Sequence, residues 1–79
     1  MTGLRMTMTT RMVLQALHAA GQPLYGLEIA QATGLGTGTV YPILHRLEQH
    51  GRVHATDETS PHPGRPPRRY YQPTLRGEP

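Results

Sequence analysis

The chain has 79 residues, enough for one domain, and a domain this small buries only about 60% of the surface its unfolded form exposes. That leaves no room for a large ligand cavity or a buried catalytic apparatus. With no cysteine, a disulfide framework and a thiolate zinc site are excluded, and the formal charge of +3 rests on 8 arginines without a single lysine.

In chain order, Met12, Val13, Ala16, Leu17 and Ala20 recur at three- and four-residue spacing and predict a first helix near residues 10–20. Thr9 or Thr10 is the expected cap, and Gly21 with Pro23 the stop. Residues 1–9 read as a tail or as the start of that helix. A short second helix near 26–33 carries Leu27 and Ala30, with Leu35 beyond it, and ends in a turn at Gly34. A third runs from Thr37 to His50, where Gly51 stops it. Residues 52–56 and 68–72 are short and β-favouring, and a loop rich in Pro, Gly and Ser joins them. Pro73 cannot donate to a sheet ladder, so the last strand should end there.

The segment from Gly26 to Gly51 has the make-up of two short helices crossing at a sharp angle. Ala30 is small where they touch, Gly34 tolerates positive φ, and Val40 and Ile43 hold the second helix down. On that helix Val40, Ile43, Leu44 and Leu47 share one face, while Gly38, Pro42, His45 and Gln49 share the other, flanked by Tyr41 and Arg46. A small, polar outer face near the amino end suits close approach to base edges in a DNA groove. An ordinary helical bundle facing water would show the same periodicity.

Charge adds a second pointer. Arg65, Arg68, Arg69 and Arg76 lie in one stretch free of acids, and such a patch fits a polyanion partner. A solvated loop would carry the same arginines. No apolar run approaches the roughly 20 residues of a membrane span, and Arg5, Arg11, Gln15 and His18 interrupt the amino-terminal stretch before a secretory core forms. The expectation is a cytoplasmic, nucleoid-associated protein with no membrane partner.

Tyr25-Gly26-Leu27-Glu28-Ile29, the run from Gly38 to Glu48 (Gly-Thr-Val-Tyr-Pro-Ile-Leu-His-Arg-Leu-Glu), Gly51, and Gly64-Arg65-Pro66-Pro67-Arg68-Arg69-Tyr70-Tyr71 together resemble the PadR-like winged helix-turn-helix transcriptional regulators. The resemblance covers about residues 10–77. It implies an α+β, mainly α, winged helix-turn-helix fold: three helices plus a two- or three-stranded β-wing. It also implies sequence-specific binding of double-stranded DNA as a repressor. The recognition helix would then supply Thr37, Gly38, Thr39, Tyr41, Pro42, His45 and Arg46, and the wing Arg65, Arg68 and Arg69. Thr39, Tyr41 and Arg46 would be groove or phosphate contacts and Arg65 the wing-tip cation. Relatives usually continue past the wing into a helical dimerisation region, so the expected assembly is a monomer, a weak homodimer through Leu4, Met8 and Met12, or copies side by side on DNA. The alternative reading is an architectural DNA binder such as a phage or mobile-element excisionase.

Other chemistry has little support. His45 and His50 are five apart on a helix, off the spacing that puts two metal ligands on one face, so no metal is expected. The five acids form no paired-carboxylate spacing, and Gly34, Gly36 and Gly38 lack the lysine of a phosphate-binding loop. No cofactor and no enzymatic activity are expected. Tyr70 and Tyr71 point to opposite faces of a strand, so one should pack inward.

Overall fold

In the computed structural model, residues 5–59 and 62–74 are described. Leu4 and Arg76 lie outside them.

Helix α1 (Met8–Ala20) opens at Thr7, whose hydroxyl accepts the Thr10 N–H at 3.2 Å, and closes at Gly21, in the left-handed region at φ 67°. The cap thus lies two to three residues before the expected one. Thr10 is instead inside the first turn, 2% exposed, with its hydroxyl 2.9 Å from that of Thr7. Apolar periodicity starts only at Met12 and Val13, so nothing in it distinguishes Thr7 from Thr9 or Thr10 as the start. Thr7→Ala should cost about 0.5–2 kcal/mol, since an orphan donor loses its acceptor. Chemical denaturation of the two proteins measures this, and equal midpoints would remove Thr7 as a cap.

After α1 come β1 (Leu24–Tyr25), α2 (Gly26–Thr33), α3 (Thr37–Gln49), β2 (Val53–Asp57) and β3 (Arg69–Pro73). The strands make one antiparallel sheet in the order β1-β3-β2, with Leu24 opposite Tyr71 and Ala55 opposite Tyr71 on its other side. The wing therefore has three strands. The third, β1, is two residues long and too short to show a period. β3 ends on Pro73, paired with Val53.

Val13 and Leu17 of α1, Ile29 and Ala30 of α2, Val40, Ile43, Leu44 and Leu47 of α3, and Leu24, Val53 and Tyr71 of the sheet form one core. Leu27 is not part of it. It is 48% exposed, because α2 buries the side bearing Gly26, Ile29 and Ala30, and Leu27 stands about 100° round from Gly26. Of the tyrosine pair, Tyr71 packs inward, and burial pushes its phenol pKa up.

Helix α3 stops in a Schellman arrangement: the Arg52 N–H donates to the Leu47 carbonyl at 2.9 Å and the Gly51 N–H to that of Glu48 at 3.0 Å. Gly51 occupies the left-handed position at φ 71°, which the chain needs in order to leave the helix directly into β2. No described helix is long and apolar enough to cross a membrane.

Candidate nucleic-acid interface

The turn between α2 and α3 is built by Thr33 and Gly34. The Thr33 hydroxyl donates to the Ile29 carbonyl at 2.8 Å and accepts the Leu35 N–H at 3.2 Å, while Gly34, at φ 79°, donates to the Ala30 carbonyl at 2.8 Å. Five hydrogen-bonding groups at the junction are thereby satisfied, and the direction in which α3 leaves is fixed.

With Val40, Ile43, Leu44 and Leu47 buried, α3 turns Thr37, Gly38, Thr39, Tyr41, Pro42, His45 and Arg46 outward, all exposed. No acid occurs from Thr37 to Leu47, and among the described residues Arg46 has no ion pair. Pro42 sits inside the helix and has no N–H to give the Gly38 carbonyl, so that acceptor is left without its helical partner. Tyr41 is 48% exposed, and the hydroxyl end of its ring lies against Gly26, where a methyl group would overlap it. The first residue of α2 is thus glycine because an α3 side chain occupies the space.

At the wing, the three strand and loop cations expected from the sequence, Arg65, Arg68 and Arg69, meet partners from elsewhere in the chain. Arg65 forms a two-bond fork with Glu58, at 3.0 and 3.1 Å, and also donates to the Pro66 carbonyl at 3.3 Å. Glu58 further accepts the Arg68 N–H at 3.1 Å and donates its own N–H to the Arg68 carbonyl at 2.8 Å. The fork and the Arg68 N–H bring the Glu58 carboxyl down to a pKa of about 2, against a smaller opposing effect of burial. A carboxylate lowered on folding stabilises the fold above its ordinary range near pH 4.5, and that contribution disappears as pH falls toward about 2.

Arg69 spans two carboxylates, at 3.0 Å to Glu48 of α3 and 3.0 Å to Asp57 of β2, and both hold its guanidinium more firmly in the charged form, Glu48 the more. The guanidinium of Arg68 lies over the Tyr25 ring, 4.1 Å from its centre, and Tyr70 meets the same ring edge-on at 5.5 Å. Arg65, Arg68 and Arg69 are therefore matched in number by Glu48, Asp57 and Glu58. The sequence showed the cations and hid their partners. Asp57 faces Arg69 only through the β2–β3 register, and Glu48 reaches it only because α3 packs beside the sheet. Among the described residues no group of His, Cys, Asp or Glu is placed to hold a metal ion.

Two helices joined by a tight turn, followed by a small sheet with an arginine-bearing loop between its last two strands, define a winged helix-turn-helix domain. The model of the PadR-like family of transcriptional regulators matches residues 13–79, and the chain belongs to that family. A crystal structure of a PadR family transcriptional regulator from Eggerthella lenta DSM 2243 superposes with a TM-score of 0.66 at 28% identity, over 87% of this chain. The chain spans 65% of that protein's length. No curated protein matches it. The family is one of transcriptional regulators, not of enzymes, and the expected fold is the one found.

Proposed function

We propose that the chain represses transcription by binding double-stranded DNA, with the exposed face of α3 in the major groove and the β2–β3 wing against the adjacent backbone. The observation that carries this reading is the acid-free outer face of α3. Seven exposed residues from Thr37 to Arg46 combine small side chains near the amino end with hydroxyl, imidazole and guanidinium donors further along. Gly38 lets the helix approach base edges. Thr37, Thr39, Tyr41, Pro42 and His45 line the same approach. Arg46 donates to a base or a phosphate, and Arg65, Arg68 and Arg69 flank the duplex. Two copies on an inverted repeat would give the site two-fold symmetry, and such a protein works in the cytoplasm, at the nucleoid.

Titration of the protein into duplex DNA at several salt concentrations tests this. Two to four phosphate contacts per protomer correspond to a slope of log K against log salt of about −2 to −3.5, and a slope near zero would overturn DNA binding. Thr39→Ala should relax sequence preference, losing about 1–3 kcal/mol on the selected site and little on random DNA. Arg68→Ala should weaken both duplexes alike. Equal losses on both duplexes for Thr39→Ala would mean that α3 does not read bases.

A further inference from the structure

Taking DNA binding as given, we infer that Glu58 is a positioning residue for the protein–DNA contact: it holds Arg65 as a charge-compensated fork that offers one fixed edge to the duplex.

The stereochemistry comes first. A guanidinium has five N–H donors in one plane. In Arg65 one Nη1–H and one Nη2–H go to the two Glu58 oxygens, and the second Nη1–H goes to the Pro66 carbonyl. The donors left are Nε–H and the second Nη2–H, which lie side by side on a single edge of the plane. That edge has the spacing that a phosphate's two oxygens accept. The Arg65 side chain is 26% exposed and Glu58 15%, so the pair is set into the wing rather than waving above it.

The hold is more than one ion pair. Glu58 continues the ladder beyond β2 by its N–H bond to the Arg68 carbonyl, and its carboxylate takes the Arg68 N–H in return. Backbone on both sides of the loop is thus fixed by the residue that grips Arg65. Isolated surface pairs contribute little, but a two-bond fork on a fixed backbone is the geometry in which they do contribute.

Charge decides what this does. A free arginine is drawn to any phosphate within reach and releases a counterion wherever it lands. Arg65 and Glu58 together are neutral, so the pair adds little to long-range attraction and meets only a backbone that presents oxygens to its open edge. Glu58 therefore lowers binding to arbitrary DNA and leaves the fitted contact in place, which is how a carboxylate can raise discrimination.

The test uses the full chain and a random-sequence duplex of about 20 base pairs, titrated from about 50 to about 200 mM salt. Glu58→Gln keeps the side chain's size and an oxygen for the Arg68 N–H while removing the charge. Its affinity for this duplex should rise above that of the native protein and its salt slope steepen by about 0.9, so that the gain shrinks about 3.5-fold across that range. The double variant Glu58→Gln, Arg65→Gln replaces a neutral pair by a neutral pair of the same shape. It should keep the native slope, and it answers the question should Glu58→Gln alone fail to fold. An Arg65 acting as an ordinary phosphate anchor would instead cost the double variant about 0.9 of slope. That result, or an unchanged slope in a folded Glu58→Gln, overturns the inference while native binding stands. Native protein that does not bind the duplex overturns DNA binding and this inference together.

Discussion

Gly26→Ala is expected to destabilise the domain by about 1–3 kcal/mol, a lowering of Tm by roughly 5–20 °C for a chain of this size. Gly26 is the first residue of α2, where alanine would ordinarily be neutral or mildly favourable. Here the added methyl would enter the space filled by the Tyr41 ring, so the ring must swing out or α2 must shift against α3. Interiors packed to crystal-like density give way poorly, and Gly26 is buried beside Ile29 and Ala30. The partner is a side chain, which makes the cause separable: in a Tyr41→Ala background the same Gly26→Ala change should cost almost nothing. A double-mutant cycle by thermal denaturation would show the coupling. Additive losses would mean that the Tyr41 ring is not what excludes a side chain at Gly26. Because Tyr41 stands on the exposed face of α3, Gly26→Ala should also disturb DNA binding without itself touching DNA.

That coupling also shows what the sequence could and could not convey. Helix α3 was legible because one period serves two purposes: Val40, Ile43, Leu44 and Leu47 specify the buried side, and everything between them then specifies the exposed side. Gly34 and Gly51 were legible because only a left-handed residue ends those helices in the required direction. Local rules sufficed there. Leu27 was misplaced because in an eight-residue helix a shift of one position still satisfies an apolar spacing, and Ile29 won the core. β1 was missed because two residues carry no alternation, and their pairing with Tyr70 and Tyr71 is a tertiary fact.

Electrostatics was the least legible of all. Glu58 and Arg65 are seven apart in a loop, and Glu48 and Arg69 twenty-one apart, so neither pair follows from helical or strand spacing. A stretch that reads as strongly cationic is folded against carboxylates from two places, α3 and the end of β2. The family pattern fixes where the wing lies but says nothing of how its charges are compensated. Arg46 is the contrast: its neighbours on α3 are all within a few residues, none is placed to pair with it, and its exposure could be read directly from its distance round the helix from Leu44 and Leu47.

Arg46→Glu should accordingly produce the largest loss of DNA binding, about 10²–10³-fold, since it removes a donor and places like charge against the duplex. Arg46→Ala removes the donor alone, and its loss should be about 5- to 150-fold. Part of the effect of glutamate is on the helix. Arg46 lies in the last turn of α3, where a cation is favoured by the exposed carbonyls and an anion is not, a difference of about 0.5–2 kcal/mol in stability. Denaturation curves separate that cost from binding, because a folded protein at the assay temperature binds or fails to bind on its contacts. Arg46→Lys then distinguishes the two targets a guanidinium has. A phosphate contact needs charge, and lysine would preserve both affinity and salt slope. A two-bond contact to guanine needs the planar fork, so lysine would keep the slope and lose discrimination between the selected site and random DNA. Arg46→Glu binding both duplexes as tightly as the native protein would remove α3 from the interface, whatever the wing does.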